Sequence, residues 1–445
     1  MFRESYKTLV EWKTEYGRKP LLLRGARQIG KSHLVKTLGK NEFDNYIVIN
    51  FDKYPEHKEI FNSFEPEIIV QKIELFTKQK VILGKTLIFL DEIQECPRAI
   101  VALRYLYEDL PELHVIGAGS LLEFCLSAED FRMPVGRIQY LYLYPMSFSE
   151  FLIALGEDKL QQHILSKSNF RKLPLELHLR LIEHVKTYYI VGGMPEAVAT
   201  YVKTKNIGKC QKIQRSIIQT YKDDFAKYAS HIQFKYLQKI FNTIPALIGG
   251  KITYTKIDDT IKSRDLKNAF DLLETAGILY KVKKTPGSGI PLEVGATEKT
   301  YKAIFLDIGL MNSINGLTRE IAMSKNIVDV YKGALAEQFV GQELITLNDI
   351  YTDAKLYYWS RDAKSSTAEL DFLINIDSKV VPVEIKSGKK GTLKSLKLFQ
   401  DKHKPEQSIR IYQGRYIEED GLTSIPFYGM KTFIKLNYED DIFFD

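Results

Sequence analysis

Along the first third of the chain, blocks of consecutive apolar residues alternate with stretches in which apolar residues recur at helical spacing. Leu21-Leu22-Leu23 opens the series. It is too short for a helix and apolar at successive positions, which predicts a strand buried on both faces of a parallel sheet. The pattern turns helical over His33-Leu-Val-Lys-Thr-Leu38, then strand-like over Asn45-Tyr-Ile-Val-Ile-Asn-Phe51. An amphipathic helix over Glu67–Lys78 precedes a strand at Thr86-Leu-Ile-Phe-Leu90. A helix through Leu103 and Leu106 leads to a fourth strand, His114-Val-Ile-Gly-Ala-Gly-Ser120, and a fifth follows Arg137. Strands alternating with helices predict an α/β domain around a parallel sheet.

From Pro145 onward the period becomes helical, interrupted at Val191-Gly-Gly-Met-Pro-Glu196 by a tight turn. Between Phe234 and Lys284 the pattern predicts a helix, a Gly249-Gly250 turn, a short helix from Tyr254 to Ile261 and a longer one ending at Thr275. Gly277 stops that helix, and Ile278–Lys284 leads into Thr285-Pro-Gly-Ser-Gly289, a hairpin-like tip. Three helices and a β-wing outline a winged helix. Further on, Ala368–Ile376 and Val380–Ser387 read as paired strands, and Gly333-Ala-Leu-Ala-Glu337-Gln-Phe-Val as a helix.

Composition adds bounds. The 445 residues are 44% hydrophobic and 27% charged, enough for several packed domains and incompatible with wholesale disorder. The net charge of +7 is unevenly placed: residues 1–160 sum to −2, 161–300 to +11 and 301–445 to −2. A polyanion partner such as double-stranded DNA would therefore meet the middle block, the plainer alternative being a solvated basic face. Lys262, Arg264 and Lys267, at the start of the third winged-helix helix, stand where such domains contact DNA. Cys96, Cys125 and Cys210 form no Cys-x-x-Cys, and the eight histidines make no metal-ligand pair at helical spacing. A charged start without an apolar leader core, and no run near the roughly 18 apolar residues of a membrane span, predict a cytoplasmic protein with no membrane partner.

The chemistry of the first block follows from its loops. After the first strand comes Gly25-Ala26-Arg27-Gln28-Ile29-Gly30-Lys31-Ser32-His33, the G-x-x-x-x-G-K-S pattern in its strand–loop–helix context. Its glycines let backbone N–H groups curl around a phosphate, and the helix from Lys31 turns its positive end toward the same anion. Lys31 would place charge on the β/γ oxygens and Ser32 would ligate Mg²⁺. The third strand closes on Asp91-Glu92. Asp91 would hold Mg²⁺ through water and Glu92 would orient and deprotonate the attacking water. No guanine-selective N-K-x-D follows, which favours ATP. Ser120, at the tip of the fourth strand, could sense the γ-phosphate or cap the helix beginning at Leu121. Arg27 more naturally braces a carboxylate or reports on the nucleotide. Arg137 could reach a γ-phosphate in cis, or as a finger from a neighbouring subunit if the chain forms a homo-oligomer, or be an ordinary strand-edge arginine.

The last block carries a second constellation. Asp371 and, thirteen positions later, Glu384-x-Lys386 lie on paired strands. Alternation turns Glu384 and Lys386 the same way. Asp371 and Glu384 could share a divalent metal while Lys386 positions water, with Glu337 as a third, helical acid. The alternative is a nuclease fold kept for binding.

Gly25–Ser32, Phe89-Leu-Asp-Glu-Ile-Gln94, Gly119-Ser120, Gly136-Arg137, Pro145-Met-Ser-Phe-Ser-Glu-Phe151, Gly192-Gly-Met-Pro-Glu196 and Phe305-Leu-Asp-Ile-Gly-Leu310 occur in order. The series resembles the prokaryotic AAA-type ATPases that carry a C-terminal PD-(D/E)xK nuclease-like domain of unknown function. The resemblance implies a P-loop AAA-type parallel-sheet domain over 1–155, a helical linker or lid over 156–230, a winged-helix-like domain over 231–290 and a restriction-endonuclease-like α/β domain over 300–445. Carried over by position, it implies that Lys31, Ser32, Asp91 and Glu92 bind and hydrolyse ATP with Mg²⁺, and that Glu337, Asp371, Glu384 and Lys386 fall on the nuclease-like positions. The expectation is an ATPase coupling nucleotide state to DNA binding, with Mg-dependent DNA cleavage as a further activity. The alternative is a nucleotide-gated regulator or scaffold for a protein partner, its nuclease-like domain non-catalytic.

Overall fold

The computed structural model describes residues 1–119, 134, 136–228, 231–324, 333–361, 368–386, 393–419 and 421–438. It divides into two compact units, Met1–Tyr144 with Ile350–Asp353, and Pro145–Asp349 with Ala354–Asp445.

In the first unit, strands β1 (Leu21–Arg24), β2 (Asn45–Asn50), β3 (Thr86–Asp91), β4 (His114–Ala118) and β5 (Gln139–Tyr142) form a sheet of order β2-β3-β4-β1-β5. All four pairings are parallel. Every residue of β3 and β4 is buried, as expected of strands covered on both faces. Ile47, Ile49, Ile88 and Leu90 pack against Ile69, Ile73, Ile100 and Leu103 from the helices Pro66–Thr77 and Pro97–Asp109. The edge strand β5 is capped from far along the chain: the Tyr142 N–H donates to the Ile350 carbonyl at 2.7 Å.

In the second unit, an eight-stranded mixed sheet has the order β12-β13-β11-β10-β9-β8-β6-β7. Its strands are β6 (Leu279–Lys284), β7 (Thr297–Phe305), β8 (Leu356–Ser360), β9 (Glu369–Ile376), β10 (Lys379–Ile385), β11 (Ser408–Tyr412), β12 (Ile417–Glu419) and β13 (Leu422–Pro426). The β6–β7 hairpin comes from the middle of the chain. Because β6 also pairs in parallel with β8, this hairpin and the C-terminal strands share one sheet.

Helices His231–Leu247, Tyr254–Ile257 and Ser263–Thr275 precede the hairpin, and Ile252 bridges to Tyr301 on β7. The short helix stops four residues before the expected Ile261. Asp258 leaves the helical region and accepts from the Thr260 N–H at 2.9 Å, a local turn that competes with the helix, while Lys239 pairs with it at 2.8 Å.

Motifs that carry the family resemblance without evident chemistry meet inside this unit. Ser147 and Glu150 form a capping box on the helix Phe148–Ala154. Asp307 is fully buried, caps the helix Ile308–Asn315 through the Leu310 N–H at 2.9 Å, and accepts from the Gly193 N–H at 2.6 Å. A Cβ at Gly192 would stand 2.2 Å from the Asp307 carboxylate, which is why a glycine serves there. With no cation among these donors, burial pushes Asp307 up to about 6.

Candidate functional site

The C-terminal end of the first unit's sheet collects the phosphate-site residues. β4 lies between β1 and β3, so the loop after β1 and the carboxylates after β3 flank one strand. The loop turns through Gly25 (φ 127°) and Gly30 (φ 95°), and Gln28 is left-handed at φ 64°. A Cβ at Gly25 would come within 2.1 Å of the Leu143 carbonyl, so only glycine lets the loop start here. Ala26 and Ile29 are buried and pin the loop to the sheet, Arg27 is half-buried, and Gln28 and His33 are exposed. Lys31 is 8% exposed and its ammonium donates to the Gly25 and Ala26 carbonyls at 2.7 and 2.8 Å. The helix Lys31–Glu42 begins at this point, so its unpaired N–H groups and the ammonium address the same space.

Asp91 closes β3. The Ser32 hydroxyl donates to its Oδ1 at 2.7 Å, Asn50 Nδ2 donates to its Oδ2 at 3.1 Å, and Lys36 lies 3.5 Å away. A hydroxyl and a carboxylate in contact are the hard oxygen donors that suit Mg²⁺, so these residues fit the ion, and Ser32 and Asp91 would hold it. The ion would supply charge neutralisation at the nucleotide's phosphates. Glu92 sits next in a left-handed conformation (φ 54°), and its Oε2 accepts from Gln94 Nε2 at 2.6 Å. Gln94 is itself buried against Gly119, where a Cβ would stand 2.1 Å from its Oε1. A carboxylate held this way can orient and deprotonate a water.

Sequence reasoning did not find Arg3, Lys36, Asn50 or Gln94. Arg3 is buried and braces the loop, donating to the Ile29 and Tyr144 carbonyls at 2.7 and 2.6 Å. Asn50 lies opposite Asp91 in the β2–β3 register, and Lys36 lies one helical turn past Ser32. Ser120 lies outside the described residues.

Arg137 is corrected as a residue acting in cis. It precedes Gln139, which pairs with Leu21 at the start of β1, whereas the loop follows Arg24 at the other end. Four strand residues, about 13 Å, separate the two ends. Arg137 instead pairs with Glu108 at 2.6 Å.

The second unit brings together the C-terminal constellation. Glu337 stands on the helix Ala334–Leu347, Asp371 on β9, Glu384 on β10 and Lys386 just past it. The β9–β10 register sets Val383 against Phe372, so Glu384 and Asp371 are neighbours, and Asp371 Oδ2 accepts from the Ile385 N–H at 2.8 Å. Lys386 pairs with Glu384 at 2.5 Å. Sequence reasoning missed three further members, Lys302, Glu369 and Lys251. Lys302, on β7, lies 2.8 Å from Glu337, 2.7 Å from Glu369 and 3.4 Å from Asp371. Lys251 pairs with Glu369 at 2.9 Å.

Burial pushes Glu337 up to about 7 against the pull of Lys302. Burial and the Asp371 charge take Glu384 to about 7. For Lys302 burial acts downward, but Glu337, Asp371 and Glu369 outweigh it and hold the ammonium well above the usual lysine range. Among the described residues no three His, Cys, Asp or Glu side chains are arranged to hold a metal ion. With Lys302 in place the constellation does not fit the divalent metal that its resemblance to nucleases implies.

Three family models match successive segments. Residues 17–152 match "AAA domain", 182–321 match "Domain of unknown function (DUF8612)" and 332–428 match "Domain of unknown function (DUF4143)". The first unit is thus an AAA-type P-loop domain, a nucleotide-binding ATPase fold at the level of its family. The chain is similar to the Walker-type ATPase PABY2304 of Pyrococcus abyssi, at 17% identity and TM-score 0.43, over 71% of this chain and 95% of that one. It is also similar to the RuvB Holliday junction branch migration motor of Thermotoga maritima, at 15% identity and TM-score 0.31, over 64% and 90%. The ORC1 protein of Aeropyrum pernix in complex with DNA is similar at 12% identity and TM-score 0.28, over 71% and 93%. No curated protein matches the chain significantly. Among the described residues no helix is long and apolar enough to cross a membrane.

Proposed function

We propose that this chain hydrolyses ATP with Lys31, Ser32, Asp91 and Glu92 and couples its nucleotide state to binding of double-stranded DNA by the basic middle block. The observation that carries the ATP part is the 2.7 Å contact of Ser32 with Asp91 beside the Lys31 helix start, where a magnesium–nucleotide complex would find its protein ligands in one place. In this reading Glu92, steadied by Gln94, activates the water, and any finger role of Arg137 is played toward a second subunit.

Support for the DNA part is the exposed charge of the middle block. Lys209, Lys212 and Arg215 recur every third residue on one face of the helix Ile207–Tyr228, and Lys262, Arg264 and Lys267 are exposed at the start of the helix Ser263–Thr275. The three helices, the Ile252 bridge and the β6–β7 hairpin follow the order of a winged helix. Part of the block's charge is neutralised internally: Lys281 pairs with Asp271 and Glu298, and Lys283 with Glu293.

The test is steady-state ATP turnover with and without duplex DNA, with Lys31→Ala as blank. Stimulation that vanishes in the variant and weakens steeply with salt is the expected result. Turnover indifferent to DNA at low salt overturns the coupling.

A second reading is favoured by Lys302: a nucleotide-gated regulator or scaffold for a protein partner, with a non-catalytic nuclease-like domain. Cleavage of DNA by Glu337, Asp371, Glu384 and Lys386 with Mg²⁺ would require that lysine to leave, and no cleavage step is assigned to them.

A further inference from the structure

We propose that Lys302 is the resident cation of the C-terminal acidic cluster, its ammonium taking the seat that a divalent metal takes in a metal-dependent nuclease site. Three observations meet here. The first is geometric: the Lys302 ammonium reaches Glu337, Glu369 and Asp371 at 2.8, 2.7 and 3.4 Å, from a side chain 1% exposed. These carboxylates come from a helix and from β9, so one point charge joins two elements, as a metal ion would.

The second concerns what remains for another cation. Glu384 is 3% exposed and neighbours Asp371, yet among the described residues its Oε2 has no hydrogen-bond partner. Its other oxygen is held by Lys386 at 2.5 Å. A buried carboxylate oxygen left unpaired is costly, so it adds to the demand of the cluster for a nearby cation. A dication brought in beside Lys302 would face the ammonium at close range in a low-dielectric setting, where like charges repel strongly. The two cations therefore exclude one another.

The third is the origin of the lysine. Lys302 stands on β7, within the segment 182–321, while Glu337, Asp371 and Glu384 all lie within 332–428. The cation is supplied to the acidic domain by the preceding segment, through the sheet that β6 and β8 join. An isolated nuclease-like domain would lack it. The domain is thus a lysine-closed version of the constellation.

The proposal rests on the nuclease-like reading of the C-terminal strands and is independent of the ATP–DNA coupling. Its test is calorimetric titration of MnCl₂ into four nucleotide-free full-length proteins: wild type, Asp371→Asn, Lys302→Gln and the double variant. Any Mn²⁺ taken up near Ser32 and Asp91 is common to all four and cancels in the comparison. Wild type and Asp371→Asn should give superimposable isotherms. Lys302→Gln should gain one Mn²⁺ site at least tenfold tighter than anything in wild type, and Asp371→Asn should remove it again. Thermal unfolding gives a second readout: Mn²⁺ should raise the Tm of Lys302→Gln and leave that of wild type unmoved. Loss of a Mn²⁺ site from wild type on Asp371→Asn overturns the proposal, and this arm holds whether or not Lys302→Gln folds. A folded Lys302→Gln that gains no site also overturns it. DNA-stimulated ATP turnover, measured on the same wild-type protein, fails or succeeds separately.

Discussion

Lys31 and Lys302 are the same side chain, both removed from water, and the two units put them to opposite uses. The Lys31 ammonium donates to backbone carbonyls of its own loop, at Gly25 and Ala26. A phosphate offers it full negative charge in place of carbonyl dipoles, so exchange toward a nucleotide is favourable. The Lys302 ammonium is already surrounded by carboxylates. No neutral or anionic ligand improves on that, and removing the lysine strands buried charge. Carbonyl contacts such as those of Lys31 can be exchanged for a phosphate, whereas the carboxylate contacts of Lys302 gain nothing by exchange.

Four experiments press on this contrast. The largest effect is expected from Lys31→Ala, a loss of ATP turnover of about 10³-fold, the scale of removing an electrostatic contact to a transferring group, with thermal stability little changed. Lys302→Met should do the reverse, lowering unfolding free energy by about 3–5 kcal/mol as buried carboxylates lose their cation, measured by urea unfolding. A folded Lys302→Met of wild-type stability would break the contrast.

One buried group in each unit should also answer pH in the opposite direction from the other. His114, buried at the start of β4, is pushed down to about 4 by burial, from an ordinary 6.5. Between those values the unfolded chain binds more protons, so the first unit loses up to about 3 kcal/mol as pH falls from 6.5 to 4. Asp307 in the second unit is raised from 3.8 to about 6. There the folded form binds more protons, so stability is greatest below 3.8 and falls by up to about 3 kcal/mol as pH rises through 6. Thermal unfolding across this range should show His114→Leu flattening the acid-side loss and Asp307→Asn flattening the other slope. The smallest effect is expected from Gln94→Ala. Freed from its 2.6 Å partner, Glu92 should lose about tenfold in kcat, a fraction of what a positioned base contributes, with KM unchanged in steady-state assays.

What could be read from the sequence was what lies close together in it. Gly25–Ser32 and Asp91-Glu92 are contiguous, and strand–loop–helix order fixes their meaning. Asp371 and Glu384 were legible because a single turn joins their strands. Asn50 was not: its contact with Asp91 exists only once β2 and β3 pair in register. Gln94 sat in a motif that carried family resemblance, but nothing in its spacing said that it faces Glu92. Lys302 was the least visible, since it lies between the hairpin-like tip at Gly289 and the helix at Gly333, where the pattern marked no chemistry. Its burial depends on the helix Ala334–Leu347, some thirty-five residues on, packing beside β7. The edge of the short helix at Asp258 was missed because a side-chain turn outbid helical spacing.

The hydrogen bond from Tyr142 to Ile350 has a consequence for biosynthesis. The edge of the nucleotide-binding sheet is completed by a residue that the ribosome adds about two hundred positions later, which at roughly 5–20 residues per second is a delay of about 10–40 s. During that interval β5 stands on the nascent chain with an open edge amide, the kind of exposed strand that neighbouring chains can pair with. The nucleotide-binding unit therefore begins its folded life as an unfinished sheet, and synthesis of residues 350–353 closes it.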